Sequence, residues 1–382
     1  MNGAHEVVID ARWLRTGIGR YILTLLKDLK SKLPNTILTC ITMPAHHGTL
    51  KPYCDRVIKM SSGIYSLTEQ LRLPLAAHNA SVFCAPHYNI PIFRTGPIVV
   101  TIHDLTHLAF PAYRNTLRAG LYANAMLRIA SARASRIIVP SHYTRDNLVE
   151  RLGAGPEKIS VIPCAVGEAF RPQPHEEAAE VVRARHGISA PYMLFVGSAA
   201  PHKNLTTLLK AYQLLCSRHR NMPNLVLVLP HKSRASQCSV ELLCLLATPG
   251  VRRLYSVSDE SLASLYAAAS ITVMPSYEEG FGLPVIESMA CGTPVACSRT
   301  ASLQEIAGDS AAFFDPSSPE DMVSAIDGLL CSRNLQQHLI GQGLKRAALY
   351  SPSRAAAAYA SMLCSLATDK VPPRILENQH DS

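Results

Sequence analysis

Short apolar runs alternate with segments of helical period along most of the chain, a pattern that predicts parallel sheets covered by helices. In the first half, residues 7–10, 37–43, 81–85, 98–103, 136–140 and 159–163 read as buried strands. In the second half, residues 192–197, 224–229, 251–255, 270–275, 294–298 and 311–314 do so. Two such blocks predict two doubly wound, Rossmann-like α/β domains, residues 1–175 and 176–351. The polar, proline-punctuated stretch running from Phe170 to Pro191 connects them. Residues 352–366 read as a final helix expected to pack back towards the N-terminal domain, and residues 367–382 as a loosely ordered tail.

A length of 382 residues, with 48% hydrophobic and 17% charged positions, suits two folded cores rather than one. No apolar stretch approaches the roughly 18 residues that cross a bilayer, and the N-terminus lacks the basic and apolar segments of a signal peptide. A cytoplasmic protein is therefore expected. The 11 cysteines are odd in number and form no CxxC pair. Reduced thiols acting as small hydrophobes, Cys84, Cys244 and Cys364 among them, fit that pattern.

The net charge of +9 is uneven, with 20 Lys+Arg against 13 Asp+Glu in residues 1–180 and 17 against 15 in the remainder. Much of the excess comes from Arg114, Arg118, Arg128, Arg133 and Arg136 on an expected helix, without aromatic interleaving. That argues against nucleic acid. A solvated helix face, a phosphorylated substrate or peripheral contact with an anionic membrane stay open.

The densest chemistry lies in Ser276-Tyr-Glu-Glu-Gly-Phe-Gly-Leu-Pro-Val-Ile-Glu-Ser-Met-Ala-Cys-Gly. A buried strand ends, a glycine-containing loop follows, and Pro284 suits the first turn of a helix that Gly292 stops. Glu279 then lies in the loop and Glu287 one turn into the helix, at the strand ends where parallel sheets bind ligands. Gly280 and Gly282 allow close backbone approach, the unpaired amides at the helix start suit a diphosphate, and carboxylates accept hydrogen bonds from sugar hydroxyls.

Glu279 and Glu287, separated by seven residues with Gly-Phe-Gly-Leu-Pro between them, resemble the EX7E motif of family 4 glycosyltransferases. The likeness extends over nearly the whole chain and is strongest towards mannosyltransferase-like members that build bacterial surface polysaccharide. It implies a GT-B fold, two Rossmann-like domains facing a central cleft. It also implies a nucleotide-sugar donor, retention of anomeric configuration and no catalytic metal or other cofactor. By the same resemblance Glu279 contacts the transferred sugar, Gly280 and Phe281 offer backbone groups to it, Gly282 and Leu283 complete the donor loop, and Glu287 holds the ribose. GDP-mannose is favoured over a UDP sugar, with a glycan or polyprenyl-diphosphate-linked acceptor.

Three further segments carry the likeness. Gly197-Ser-Ala-Ala-Pro-His-Lys-Asn follows a strand; Lys203 stands where its charge and a helix start act together on a phosphate, and Asn204 is a suitable N-cap for the helical spacing of Leu205, Leu208, Leu209 and Tyr212. Lys203 corresponds to the family's donor-diphosphate lysine, with His202 in place of the usual arginine. His103, at the end of an apolar strand, resembles the family's active-site histidine. Gly17 and Gly19 match its donor-binding Gly-Ile-Gly-Arg-Tyr loop, which lies opposite the donor pyrophosphate, and Ser141 and Arg145 match a motif assigned to the acceptor side, although Ser141 serves equally well as a helix cap. No Asp-x-Asp pair is present to hold a divalent cation, so Lys203 and helix amides are expected to neutralise the leaving group.

Other classes fit less well. A Rossmann dehydrogenase needs a third glycine where Ile22 stands and an acidic residue near Cys40. A nucleotide-sugar epimerase gives no account of the Glu279–Glu287 spacing, and a non-catalytic basic binding protein gives none of the donor loop.

Overall fold

In the first unit β1 (His5–Asp10), β2 (Thr36–Thr42), β3 (Arg56–Lys59), β4 (Val82–Ala85), β5 (Ile98–Thr101), β6 (Arg136–Val139) and β7 (Ile159–Val161) form one sheet in the order β3-β2-β1-β4-β5-β6-β7. Every neighbouring pair is parallel. The computed structural model describes residues 5–14, 16–109, 117–230 and 239–367. Arg114 and the expected tail from residue 368 lie outside these residues, as does the side chain of Arg118. The first unit comprises Met1–Leu108, Arg114–Ala165 and Ser351–Ser382, the second Val166–Tyr350 with Ala109–Tyr113.

Period-two alternation assigns the faces of the first sheet. Val7 and Ile9 join a core with Ile22, Leu26 and Leu29 of the helix Gly17–Lys32. Val8, between them, joins the opposite core with Leu73, Leu127 and Leu148. The helix Pro352–Ala367 buries Ala356, Tyr359 and Leu363 in the first of these cores, against Gly17–Lys32. β3 was not expected from the hydrophobic pattern, because only Val57 and Ile58 separate Arg56 from Lys59. It lies at a sheet edge, where charged ends are tolerated and block further pairing.

The second unit repeats the plan with β8 (Tyr192–Val196), β9 (Asn224–Leu229), β10 (Val251–Tyr255), β11 (Ile271–Met274), β12 (Val295–Ser298) and β13 (Ala312–Phe314), ordered β10-β9-β8-β11-β12-β13 and parallel throughout. Phe195, Leu208, Tyr212, Leu227, Val273 and Ile326 are among its fully buried core residues. No disulfide joins the described cysteines. Cys84 is buried as expected of a small hydrophobe, but Cys244 and Cys364 are exposed, since each apolar helical run turns one side to solvent.

In each sheet the chain starts in the middle, winds outward, then returns to the other side of its first strand. The order therefore reverses between β1 and β4 and again between β8 and β11. At such a reversal the loops leaving the two strands diverge to opposite faces and open a crevice beyond their carboxyl ends.

Candidate functional site

In the second unit the two loops at the reversal bring the expected residues together. Lys203 leaves β8 on a short 3-10 turn, Pro201–Lys203. Glu279 leaves β11 in the loop before the helix Leu283–Ala290. Lys203 Nζ lies 2.5 Å from Glu279 Oε1, with the two side chains 18% and 11% exposed. Ser276 Oγ donates to the same carboxylate oxygen at 2.7 Å. The loops are fastened by the Tyr277 amide, which donates to the His202 carbonyl at 2.8 Å. An ammonium and a carboxylate are thus held at the mouth of the crevice, each within reach of solvent.

Asn204 departs from its expected local role. It occupies the N-cap position of the helix Leu205–Arg218 with φ of 56°, and its side chain makes no capping bond. Instead its amide donates to the carbonyls of Pro275, 3.0 Å away, and Pro316, 2.7 Å away. The side chain ties the lysine turn to the end of β11 and so helps fix the Lys203–Glu279 distance.

The helix Leu283–Ala290 begins as expected, with Pro284 in its first turn. Gly282 precedes it at φ of 97°, a backbone that favours glycine, and a Cβ there would also have to displace the Leu303 side chain, whose Cδ2 lies 2.5 Å from that position. Phe281 is buried with its ring edge-on to Tyr350, centroids 5.5 Å apart, leaving its backbone as the part available to a ligand. Glu287 is also buried and accepts a hydrogen bond from Tyr266 Oη at 3.1 Å. Its charge and burial push the nearby Cys291 thiol up to about 12, burial contributing more. Tyr266, which positions the Glu287 carboxylate, carries no motif that sequence reading could have used, and Ser276, although it opens the segment that holds Glu279 and Glu287, gives no sign there of its bond to Glu279.

In the first unit His103 lies two residues beyond β5, half-buried, with Nε2 3.0 Å from the Pro86 carbonyl and its ring edge-on to Tyr21 at 4.8 Å. Burial holds its pKa below the usual imidazole value despite the opposing effects of Asp104 and the Pro86 bond. The neutral ring donates through Nε2 to that carbonyl, which leaves Nδ1 as an acceptor. Gly17 starts the helix Gly17–Lys32 in open space, whereas a Cβ on Gly19 would meet the Leu14 carbonyl oxygen at 2.4 Å. Ser141 is fully buried and caps the helix His142–Leu152, accepting from the Thr144 amide. Arg145 is paired with its neighbour Asp146 at 2.9 Å.

Sequence reading missed a buried ionic cluster at the reversal of the first sheet. Arg12, after β1, makes a bidentate pair with Asp10, both contacts 2.8 Å, and also pairs with Glu69. Glu69 accepts from Asn89 Nδ2 at 2.9 Å, and Asn89 Oδ1 accepts from Tyr122 Oη at 2.6 Å. Four distant segments supply these residues, so no local spacing could have announced them.

Two parallel sheets, each with a central reversal, and a Lys–Glu pair beyond the strands of the second define a GT-B transferase architecture. Residues 15–170 match the family model described as Glycosyltransferase Family 4, and residues 180–346 that described as Glycosyl transferases group 1. The chain belongs to the family 4 glycosyltransferases. It is 28% identical over 360 residues to O-antigen chain mannosyltransferase B of Escherichia coli, covering 88% of this chain and 92% of that one. It is 27% identical over 266 residues to the O-antigen chain mannosyltransferase RfbU of Salmonella typhimurium, covering 70% and 69%. The sucrose-phosphate synthase from Thermosynechococcus elongatus shares the fold, with a TM-score of 0.75 at 20% identity over 96% of this chain and all of that one.

Proposed function

We propose that this glycosyltransferase moves a mannosyl residue from GDP-mannose to a glycan or polyprenyl-diphosphate-linked acceptor in the synthesis of surface polysaccharide such as O-antigen. The Lys203–Glu279 pair, 2.5 Å apart at the reversal of the second sheet, carries the reading. Lys203 neutralises the pyrophosphate with the amides at the start of the helix Leu283–Ala290. Glu279 accepts from sugar hydroxyls, Glu287 from the ribose, and Gly280, Phe281, Gly282, Leu283 and Asn204 shape the loop around the donor. Of the first unit's residues, Gly17 and Gly19 are assigned to the donor, His103 to catalysis, and Ser141 and Arg145 to the acceptor. Likeness to the two O-antigen mannosyltransferases supports the sugar and the polymer.

The step we favour retains configuration without a metal. The acceptor oxygen bonds to the anomeric carbon on the face from which the phosphate departs, the carbon–phosphate oxygen bond breaks, and the leaving phosphate oxygen takes the acceptor proton. The enzyme works at the cytoplasmic face of the membrane, in peripheral contact with it.

Thermal shift with GDP, UDP and ADP tests the donor site, since a ligand at a hundred times its Kd adds about 2.7 kcal/mol of stability. GDP should raise the melting temperature most. Turnover of GDP-mannose should survive chelator, and a shift with UDP alone would replace the donor assignment. A glycosyl adduct trapped on a side chain would overturn same-face attack.

A further inference from the structure

Large apolar side chains left in solvent are unevenly distributed. Eleven such residues are exposed among those described, and seven lie on three neighbouring segments of the first unit. The helix Leu67–Ala76 turns Leu67, Leu71 and Leu75 outward, 89%, 65% and 70% exposed, while Leu73 faces the core. A spacing of four residues makes these leucines one stripe along the helix. Phe93, on the loop after β4, and Leu121, on the helix Leu117–Arg133, are 69% and 70% exposed.

The segments are joined side by side. Gln70 bonds the carbonyl of Ile90 and the amide of Ile92, which seats the Phe93 loop against the leucine helix. Tyr65, just before that helix, packs edge-on to Tyr122 of the helix Leu117–Arg133 at 5.6 Å. Arg133 donates to the Arg94 carbonyl, and Arg94 to those of Ala77 and Ala80, closing the loop against both helices.

Charge on this face has one sign. The helix Leu117–Arg133 contains no acidic residue, nor does the loop 86–97. The only carboxylate of the helix Leu67–Ala76 is Glu69, fully buried against Arg12. Arg72, Arg128 and Arg133 are exposed. We propose that this face docks on an anionic lipid surface, its leucines and Phe93 entering the interface while the arginines meet phosphate headgroups. No helix among the described residues is long and apolar enough to cross a membrane, so the contact is peripheral. A second copy of the chain is a poorer occupant, because a two-fold contact would lay two faces of the same positive sign against each other.

The inference deepens the lipid-linked acceptor reading, and vesicle binding is measured without donor or acceptor so that the two can fail separately. Cosedimentation would compare vesicles of phosphatidylcholine alone with vesicles containing equal parts of phosphatidylglycerol. The wild type should partition onto the anionic vesicles at least about tenfold more strongly. The double variant Leu71→Glu, Leu75→Glu should lose about a hundredfold of that binding, with its melting temperature and its transfer to a water-soluble acceptor unchanged. Arg72→Ala with Arg128→Ala should lose between about tenfold and a hundredfold, and added salt should mimic that loss. Equal partition of the wild type onto both vesicles, or undiminished binding by the glutamate variant, would overturn the proposal. So would light scattering that shows a wild-type dimer becoming a monomer in that variant.

Discussion

Replacing Glu279 with glutamine should tighten the binding of a nucleoside diphosphate that carries no sugar, while crippling transfer. Lys203 Nζ sits 2.5 Å from Glu279 Oε1 in a site that is only partly open to water. A diphosphate arriving at the lysine must share it with the carboxylate and bring its own negative oxygens close to that carboxylate. Like charges about 4 Å apart repel by about 1 kcal/mol in water and about 4 kcal/mol at an effective dielectric constant of about 20. A partly exposed site falls between these limits. Glutamine keeps the bond from Ser276 but removes the charge, so Kd for the diphosphate should fall about tenfold, or about 1.4 kcal/mol. Transfer should fall by about a hundredfold or more, because a contact to the reacting sugar is weakened. Lys203→Met removes attraction instead, and both affinity and turnover should drop. Titration calorimetry with GDP on both variants decides the matter. If Glu279→Gln weakens GDP as Lys203→Met does, the carboxylate is not competing for the lysine and the assignment of the pair to donor phosphate and sugar is wrong.

Gly282→Ala forces a side chain onto φ of 97° and against Leu303, which should cost about 1–3 kcal/mol and lower the melting temperature of the second unit in calorimetry. Arg12→Met strands Asp10 and Glu69, 1% and 0% exposed, without their cation; urea unfolding of the first unit should show a loss of about 3–5 kcal/mol. His103, whose pKa burial depresses, should stay neutral as pH falls past the ordinary imidazole value of about 6.5, so kcat/KM should hold there and decline only at lower pH. Its unfolded form takes the proton first, so its contribution to stability is present above about pH 6.5 and is lost as pH falls towards the folded value. A kcat/KM limb at or above 6.5 would contradict the neutral-acceptor role.

The two-sheet architecture was legible because buried parallel strands are apolar on both faces and stand out as continuous runs. Twelve of the thirteen strands announced themselves this way, each within a residue or two of its observed ends. β3 failed the test for a physical reason: an edge strand pairs on one side only, so Arg56 and Lys59 can end it without breaking a ladder. The outward leucines of the helix Leu67–Ala76 were invisible for the opposite reason. Leucine reads as core unless the other side of the helix is already known to be packed, and Leu73 shows that it is.

The candidate site divides along similar lines. Glu279, Gly282, Pro284 and Glu287 lie on one strand–loop–helix segment, so their spacing survives in the sequence. Lys203 was found because a strand and a helix start bracket it. Their convergence depends on β8 and β11 being neighbours, which is set by the winding of the sheet, and on Asn204 bridging Pro275 to Pro316. Reading Asn204 as a cap was reasonable on composition, since asparagine leads at N-caps, yet its left-handed backbone turns the amide away from the helix and across to the next loop. The Arg12–Asp10–Glu69–Asn89 cluster required three separate segments to meet, and buried ion pairs leave no periodic trace. Local motifs therefore report what a single loop offers a ligand, whereas the residues that hold two loops at a working distance emerge only once the strand order is known.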